Sequence, residues 1–279
     1  MMAQITGEMI TKLREHTGVG IAKCKEALVL AQGDHEEAIN ILRKQGMGAG
    51  AKKADREAKE GSVYVAEDAS TIVMIEGNAE TDFVANNQMF KDFLRDIAEQ
   101  ALKTKPATLE ELVAQIYHKD KSVTVEAKRN IVIQTLGENI LLRKLQLIHK
   151  RPNSSYGYYS HMGGKLVVLV EIEGATDQAA LCKDVAMHAA AASPEYIRPE
   201  EVPAQILAQE EEIVRTQVKD KPPAVLDKIV QGKIKAYCDQ VCLNNQKYIK
   251  DDSMTVQQFV EKQGKSLSIR CFWRMKVGQ

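Results

Sequence analysis

The sequence predicts an α+β protein built from several compact pieces, and three observations carry that reading. Short apolar runs rich in β-branched residues, Thr71-Ile-Val-Met-Ile75 and Leu166-Val-Val-Leu-Val170, read as buried strands. Residues Phe90, Phe93, Leu94, Ile97, Ala98, Ala101 and Leu102 recur at helical spacing and mark one face of an amphipathic helix. The length, 279 residues with 44% hydrophobic content, is enough for more than one core.

Taken in order, residues 1–45 read as three short helices. Met9, Ile10 and Leu13 stripe the first, which ends at Thr17-Gly-Val-Gly20, where two glycines permit a tight turn. Ile21, Cys24, Ala27, Leu28 and Ala31 stripe the second, which stops at Gly33; Asp34-His-Glu-Glu37 then resembles a capping box, and Ala38, Ile41 and Leu42 complete the third. Residues 46–60, with Gly46, Gly48 and Gly50 followed by mixed charge, lose apolar periodicity and read as a flexible linker.

Residues 61–152 form a first α+β lobe. Ser62-Val-Tyr-Val-Ala66 and Thr71 to Ile75 make a hairpin, helices follow at Phe90, Leu109 to Ala114 and Glu126 to Leu136, and Leu142 to Ile148 is a closing strand. A second lobe, 153–196 and 244–279, repeats the logic. Tyr156 to Lys165 leads through a glycine turn into the apolar strand at Leu166, a helix spans Gln178 to Ala192, and Leu267, Ile269, Cys271, Trp273 and Met275 line one face of a last strand. Between them, 197–243 reads as an antiparallel helical hairpin turning at Lys219-Asp-Lys-Pro-Pro223, with Leu226, Val230, Ile234, Tyr237 and Val241 as its seam. Such a hairpin serves either association of two copies or packing onto its own lobe.

The stretch Glu76-Gly-Asn-Ala-Glu-Thr-Asp-Phe-Val-Ala-Asn86 joins a strand to a helix. It allows two readings. Thr81 or Asp82 caps the helix while Phe83 and Val84 staple into the core, or the corner displays an acid beside an aromatic wedge to a partner.

Composition narrows the function. Lysine plus arginine equal aspartate plus glutamate at 38 each, so no net field favours nucleic acid or an anionic surface, and aromatic residues are sparse at 5%. No apolar run approaches the roughly 18 residues of a membrane span, and the N-terminus lacks a signal-peptide pattern, which points to the cytoplasm. Five cysteines, at 24, 182, 238, 242 and 271, suit reduced core thiols. Cys238 and Cys242 supply at most half a zinc site, His161, His188 and Cys24 fit no nucleophile signature, and neither GxxxxGK[ST] nor GxGxxG occurs. A non-enzymatic protein without cofactor or metal is expected, one that leaves any nucleotide to a partner.

The long motifs Leu13-Arg-Glu-His-Thr-Gly-Val-Gly20 with Cys24-Lys-Glu-Ala-Leu28, and Asn78-Ala-Glu-Thr-Asp-Phe-Val-Ala-Asn86, resemble the two signatures of the bacterial elongation factor Ts family. Tyr159-Ser-His-Met-Gly-Gly164, Ala186-Met-His-Ala-Ala190 and Lys228-Ile-Val-Gln-Gly232 resemble further family segments in the same order. The resemblance implies a ubiquitin-associated-like module, two core subdomains and an inserted hairpin. It also implies guanine nucleotide exchange on elongation factor Tu, bound in its GDP-loaded and nucleotide-free forms. Leu13, Arg14, Thr17, Gly18, Gly20, Ile21 and Cys24 would grip its nucleotide-binding domain, Thr81, Asp82, Phe83 and Val84 would disturb its magnesium site, and His161 would add a second-lobe contact. Gly77, Lys23 and Ile21-Ala22 depart from residues common in the family, and no extra carboxy-terminal helix follows Val277. The rival class is a general adaptor or chaperone module, which would bind its partner whether nucleotide is present or absent.

Overall fold

Helix starts and stops in the computed structural model follow local chemistry, over the residues it describes, 4–218 and 222–279. Thr6 accepts from Met9 N to open α1 (Gly7–Thr17), and Gly18, left-handed at φ 73°, ends it and turns the chain into α2 (Ile21–Leu30). Asp34 accepts from Glu37 N to open α3 (His35–Lys53). The reciprocal half of the expected capping box is not made. Glu37 accepts from Asn40 instead, and Asp34 N donates to Ala31 O at 3.0 Å.

The first of two units runs to His149 and takes in Lys276–Gln279. After α3 come β1 (Glu60–Glu67), β2 (Thr71–Ala79), α4 (Asp82–Ala85), α5 (Gln88–Thr104), α6 (Leu109–Ala114), α7 (Val125–Leu136) and β3 (Ile140–His149). The sheet has the order β1-β2-β3, antiparallel throughout, with a register shift at Glu76/Gly77. Gly77 sits where a Cβ would collide with the Leu94 side chain, so glycine lets α5 lie close against β2. Every residue of β2 is buried. The motif stretch from Glu76 to Ala79 is therefore strand, and the corner begins only at Glu80.

The flexible linker expected over 46–60 is corrected in its first half. α3 continues to Lys53, and Gly46 and Gly50 are buried against α7. A Cβ at Gly46 would meet the Asn130 backbone at 3.5 Å, and one at Gly50 would fall on the Asn130 side chain. Glycine spacing that reads as mobility is close helix approach. Lys23 Nζ donates to Gln134 O at 3.1 Å, Arg43 binds Ser122, and Lys53 binds Gly137 O. Leu13, Leu28 and Leu42 of the three helices share one continuous core with Phe90, Ile97 and Val132, so the module is docked, and only 54–59 connect it to β1.

The second unit, Lys150–Met275, contains β4 (Ser154–His161), β5 (Leu166–Glu173), α8 (Ala179–Ala192), α9 (Ala204–Gln217), α10 (Pro223–Val241), the short pair β6 (Lys247–Tyr248) and β7 (Asp251–Thr255), α11 (Val256–Gln263) and β8 (Ser268–Lys276). Its sheet has the order β4-β5-β8. Gly157 admits α8, since a Cβ there would press on Cys182 and the Lys183 backbone. α9 and α10 are joined by Arg215, which binds both Glu211 and Asp227, and by Ile206, Leu207, Ile234 and Tyr237 packed around Cys238 and Val241. The expected turn at Lys219–Pro223 lies partly outside the described residues, which omit 219–221. The β6–β7 pair and α11 are additions to the sequence reading. α11 opens on a complete capping box, Thr255 with Gln258.

Candidate partner-binding site

At the strand-to-helix corner the cap-and-staple reading holds for Thr81 and Val84 and fails for Phe83. Thr81 is the helix cap, accepting from Val84 N at 3.4 Å, and Val84 is the core staple at 9% exposure. Phe83 is 85% exposed. Asp82 beside it is exposed too and occupies the first turn of α4, where backbone N–H groups favour an acid. The ring adds nothing to the buried core, whereas Val84 and Ala85 on the other side of the helix do.

The first turn of the module divides in the same way. Leu13 and Cys24 are fully buried and Thr17 is 8% exposed, which corrects their expected place in a contact surface. Thr17 Oγ1 donates to Leu13 O at 2.7 Å and accepts from Val19 N at 3.3 Å, while the Cys24 thiol donates to Val19 O at 3.3 Å. Burial pushes the Cys24 thiol up, against the opposing influence of Thr17 and Arg14, so it stays protonated and can donate. These three residues knit the α1–α2 turn from inside. Arg14, Gly20 and Ile21 are exposed, Ile21 to 58%, and Gly18 is partly so.

The first motif comes close to the helix that follows the second. A Cβ at Gly18 would lie 3.6 Å from Met89 Cε, in the first turn of α5. The module turn thus rests beside the helix that follows the Phe83 corner. Sequence reasoning missed what fixes that corner, the Gly137-Glu-Asn139 turn after α7. Thr81 N and Oγ1 donate to the Glu138 carboxylate at 2.9 and 2.7 Å, and Asn139 N donates to Glu80 Oε1 at 2.6 Å. The signal available was a glycine C-cap followed by a polar pair entering a strand, which is too general to single out.

In the second unit His161 ends β4 and is exposed; its Nδ1 lies 3.3 Å from the Tyr159 hydroxyl, and the two rings stack at 5.9 Å. Met162 beyond it, at φ 49°, is 68% exposed. Among the described residues Asp96, Glu99 and His118 bring ligand-type atoms within 4.8 Å of one another. Both Asp96 oxygens are taken, one by the Tyr117 hydroxyl at 2.6 Å and the other by Lys119 Nζ. A cation there would displace an ammonium, so the group is an ion-pair network. Cys238 and Cys242 are buried, and burial raises both thiols, Cys242 to about 12, which suits protonated core thiols. No helix among the described residues is long and apolar enough to cross a membrane.

Exposed apolar and charged side chains thus stand on short, internally braced turns. The family model for elongation factor TS matches residues 80–279. The whole chain is 47% identical over 282 residues to elongation factor Ts of Protochlamydia amoebophila (strain UWE25), covering all of both. It is 39% identical over 281 residues to those of Chlamydia felis and Chlamydia pneumoniae, across 99% of this chain and all of theirs. The chain belongs to the elongation factor Ts family, and membership supports a role in translation elongation.

Proposed function

We propose that this protein is the guanine nucleotide exchange factor of elongation factor Tu. The observation that carries the proposal is Phe83, 85% exposed on a corner whose neighbours on both sides are anchored. In a GTPase the magnesium ion bridges phosphate oxygens and loop residues, so an aromatic wedge that shifts those loops weakens ion and nucleotide together. Asp82 brings a carboxylate to the same place. Arg14, Gly18, Gly20 and Ile21 hold the nucleotide-binding domain at a second point, while Leu13, Thr17 and Cys24 shape the turn that presents them; His161 adds a contact from the second unit. No bond is made or broken. The factor binds the empty GTPase more tightly than the occupied one, and linkage makes factor and nucleotide weaken each other by the same ratio. GDP leaves, GTP enters, and the factor is displaced.

The test is release of a fluorescent GDP analogue from the cognate elongation factor Tu at fixed magnesium, with and without the protein. Acceleration is expected, and Phe83→Ala, which removes an aromatic anchor worth about 2 kcal/mol or more, should reduce it on the order of 30-fold. A protein that binds elongation factor Tu equally with and without nucleotide, and does not accelerate release, is an adaptor.

A further inference from the structure

A wedge needs an abutment, and neither signature motif supplies one. Thr81 leaves β2 with two donors aimed at one carboxylate, its N–H at Glu138 Oε2 and its hydroxyl at Glu138 Oε1. One residue away the direction reverses, with Asn139 N donating to Glu80 Oε1. The end of one strand and the entry to the next therefore clasp each other through two carboxylates, and hydrogen bonds to an ionised acceptor are the short, strong kind. The turn carrying Glu138 is braced in its turn by the module. Lys23 of α2 binds Gln134 O and Lys53 of α3 binds Gly137 O, at a helix C-terminus whose unpaired carbonyls attract cations. Direct bonds thus run from the module through the α7 terminus and Glu138 to Thr81, two residues before Phe83.

Val84 and Ala85 bury the inner side of α4, but an apolar anchor sets depth better than direction. The clasp sets where the helix starts, and with it the direction in which the ring stands. We propose that Glu138 is a positioning residue for nucleotide exchange: its carboxylate, on a turn braced by the module's lysines, locks Thr81 so that Phe83 keeps its outward direction when pressed on the partner GTPase. The inference rests on the exchange reading above and deepens it.

The experiment measures the maximal rate of labelled-GDP release at saturating factor, and the half-saturating factor concentration. The proteins compared are wild type, Glu138→Gln, Thr81→Val, Phe83→Ala and the Glu138→Gln/Phe83→Ala double variant. Glu138→Gln and Thr81→Val should each lower the maximal rate about tenfold, the loss expected of a charge-assisted hydrogen bond, with half-saturation changed less than about twofold. In the Phe83→Ala background Glu138→Gln should remove nothing further, because it acts through the ring. An equal loss in both backgrounds would mean that Glu138 only stabilises the fold, and would overturn the proposal. Wild-type rates in both Glu138→Gln and Thr81→Val would overturn it as well. Failure of the exchange reading is visible separately, in the wild-type protein leaving GDP release unaccelerated before any variant is compared.

Discussion

Alanine placed in turn at Gly46, Gly48 and Gly50 puts the same methyl group at three points of one helix, and the surroundings assign each a different outcome. In a helix interior alanine is favoured over glycine by about 1 kcal/mol. At Gly48 nothing lies within 4 Å of the added carbon, so Gly48→Ala should gain about 0.5–1 kcal/mol. At Gly46 the nearest atoms are the Asn130 backbone carbon and oxygen, both at 3.5 Å, an ordinary contact that leaves the gain intact. At Gly50 the methyl lands on the side chain of Asn130, which is 8% exposed and bonded to Glu126 at 3.4 Å. Overpacking of that kind costs about 1–3 kcal/mol, so after the helical gain Gly50→Ala should lose up to about 2 kcal/mol. Asn130→Ala in the same chain should relieve most of the loss. Because the chain has two units, unfolding need not be two-state. Amide hydrogen exchange in α3 and α7 reports the local opening free energy directly. Protection raised by Gly50→Ala as much as by Gly48→Ala would refute the steric account of the close approach. Three variants indistinguishable from wild type would return 46–53 to a flexible linker.

The remaining predictions concern single side chains. Gly77→Val should destabilise the first unit by about 2–3 kcal/mol through collision with the fully buried Leu94, and Leu94→Ala should partly restore it, checked by the same exchange measurement. Phe83→Ala should change the melting temperature little, since a surface side chain contributes within about 0.5 kcal/mol, even as it lowers the proposed exchange activity. His188 should make the second unit acid-labile. Gln246 Nε2 donates to Gln240 O, which leaves its Oε1 to accept from His188 Nε2 at 2.9 Å, while His188 Nδ1 accepts from Ile249 N at 3.2 Å. Burial holds this neutral ring below the ordinary histidine range, only partly offset by Gln246. The unfolded state then binds the proton first. Stability is complete above about pH 6.5 and falls as the pH drops toward the folded value, by up to about 1.4 kcal/mol per pH unit. Urea unfolding at pH 7.5 and 5.5 should show this slope in wild type and not in His188→Gln; equal slopes would refute it.

The elements legible in the sequence were those whose signal is local. Helical stripes, the hairpin into Thr71, the Gly18 turn and the apolar β5 run each declare themselves within a dozen residues, and each stands where it was expected. At Gly46 and Gly50 the local signal misled. Gly46 and Gly50 break propensity in the same way whether the chain is loose or another helix is pressed against it, and only the position of Asn130, eighty residues later, decides between the two. Glu76 shows the same limit from the polar side. It is fully buried and accepts from Gly278 N at 2.8 Å, a bond between residues 202 apart that no pattern around either end announces. At the corner, the cap and the aromatic were both visible as residue types, but which side chain was exposed depends on the rotation of a four-residue helix. Val84 and Ala85 bury one side of that helix, and the distant Glu138 binds its cap Thr81.

The docked module changes how the proposed exchange surface works. A domain on a flexible tether increases the effective concentration of its contacts, yet the second contact still has to be found and the linker ordered as it forms. Here the α1–α2 turn and the Phe83 corner belong to one unit with one continuous core, and Gly18 lies against Met89. The spacing between the two contacts is then set before the partner arrives. Ile21 and Phe83 can engage only a surface whose two receiving sites have that spacing. Binding energy gathered at the module is therefore available at the wedge, instead of being dissipated in a hinge, which is what a protein needs if it is to displace a tightly held ligand without chemistry of its own.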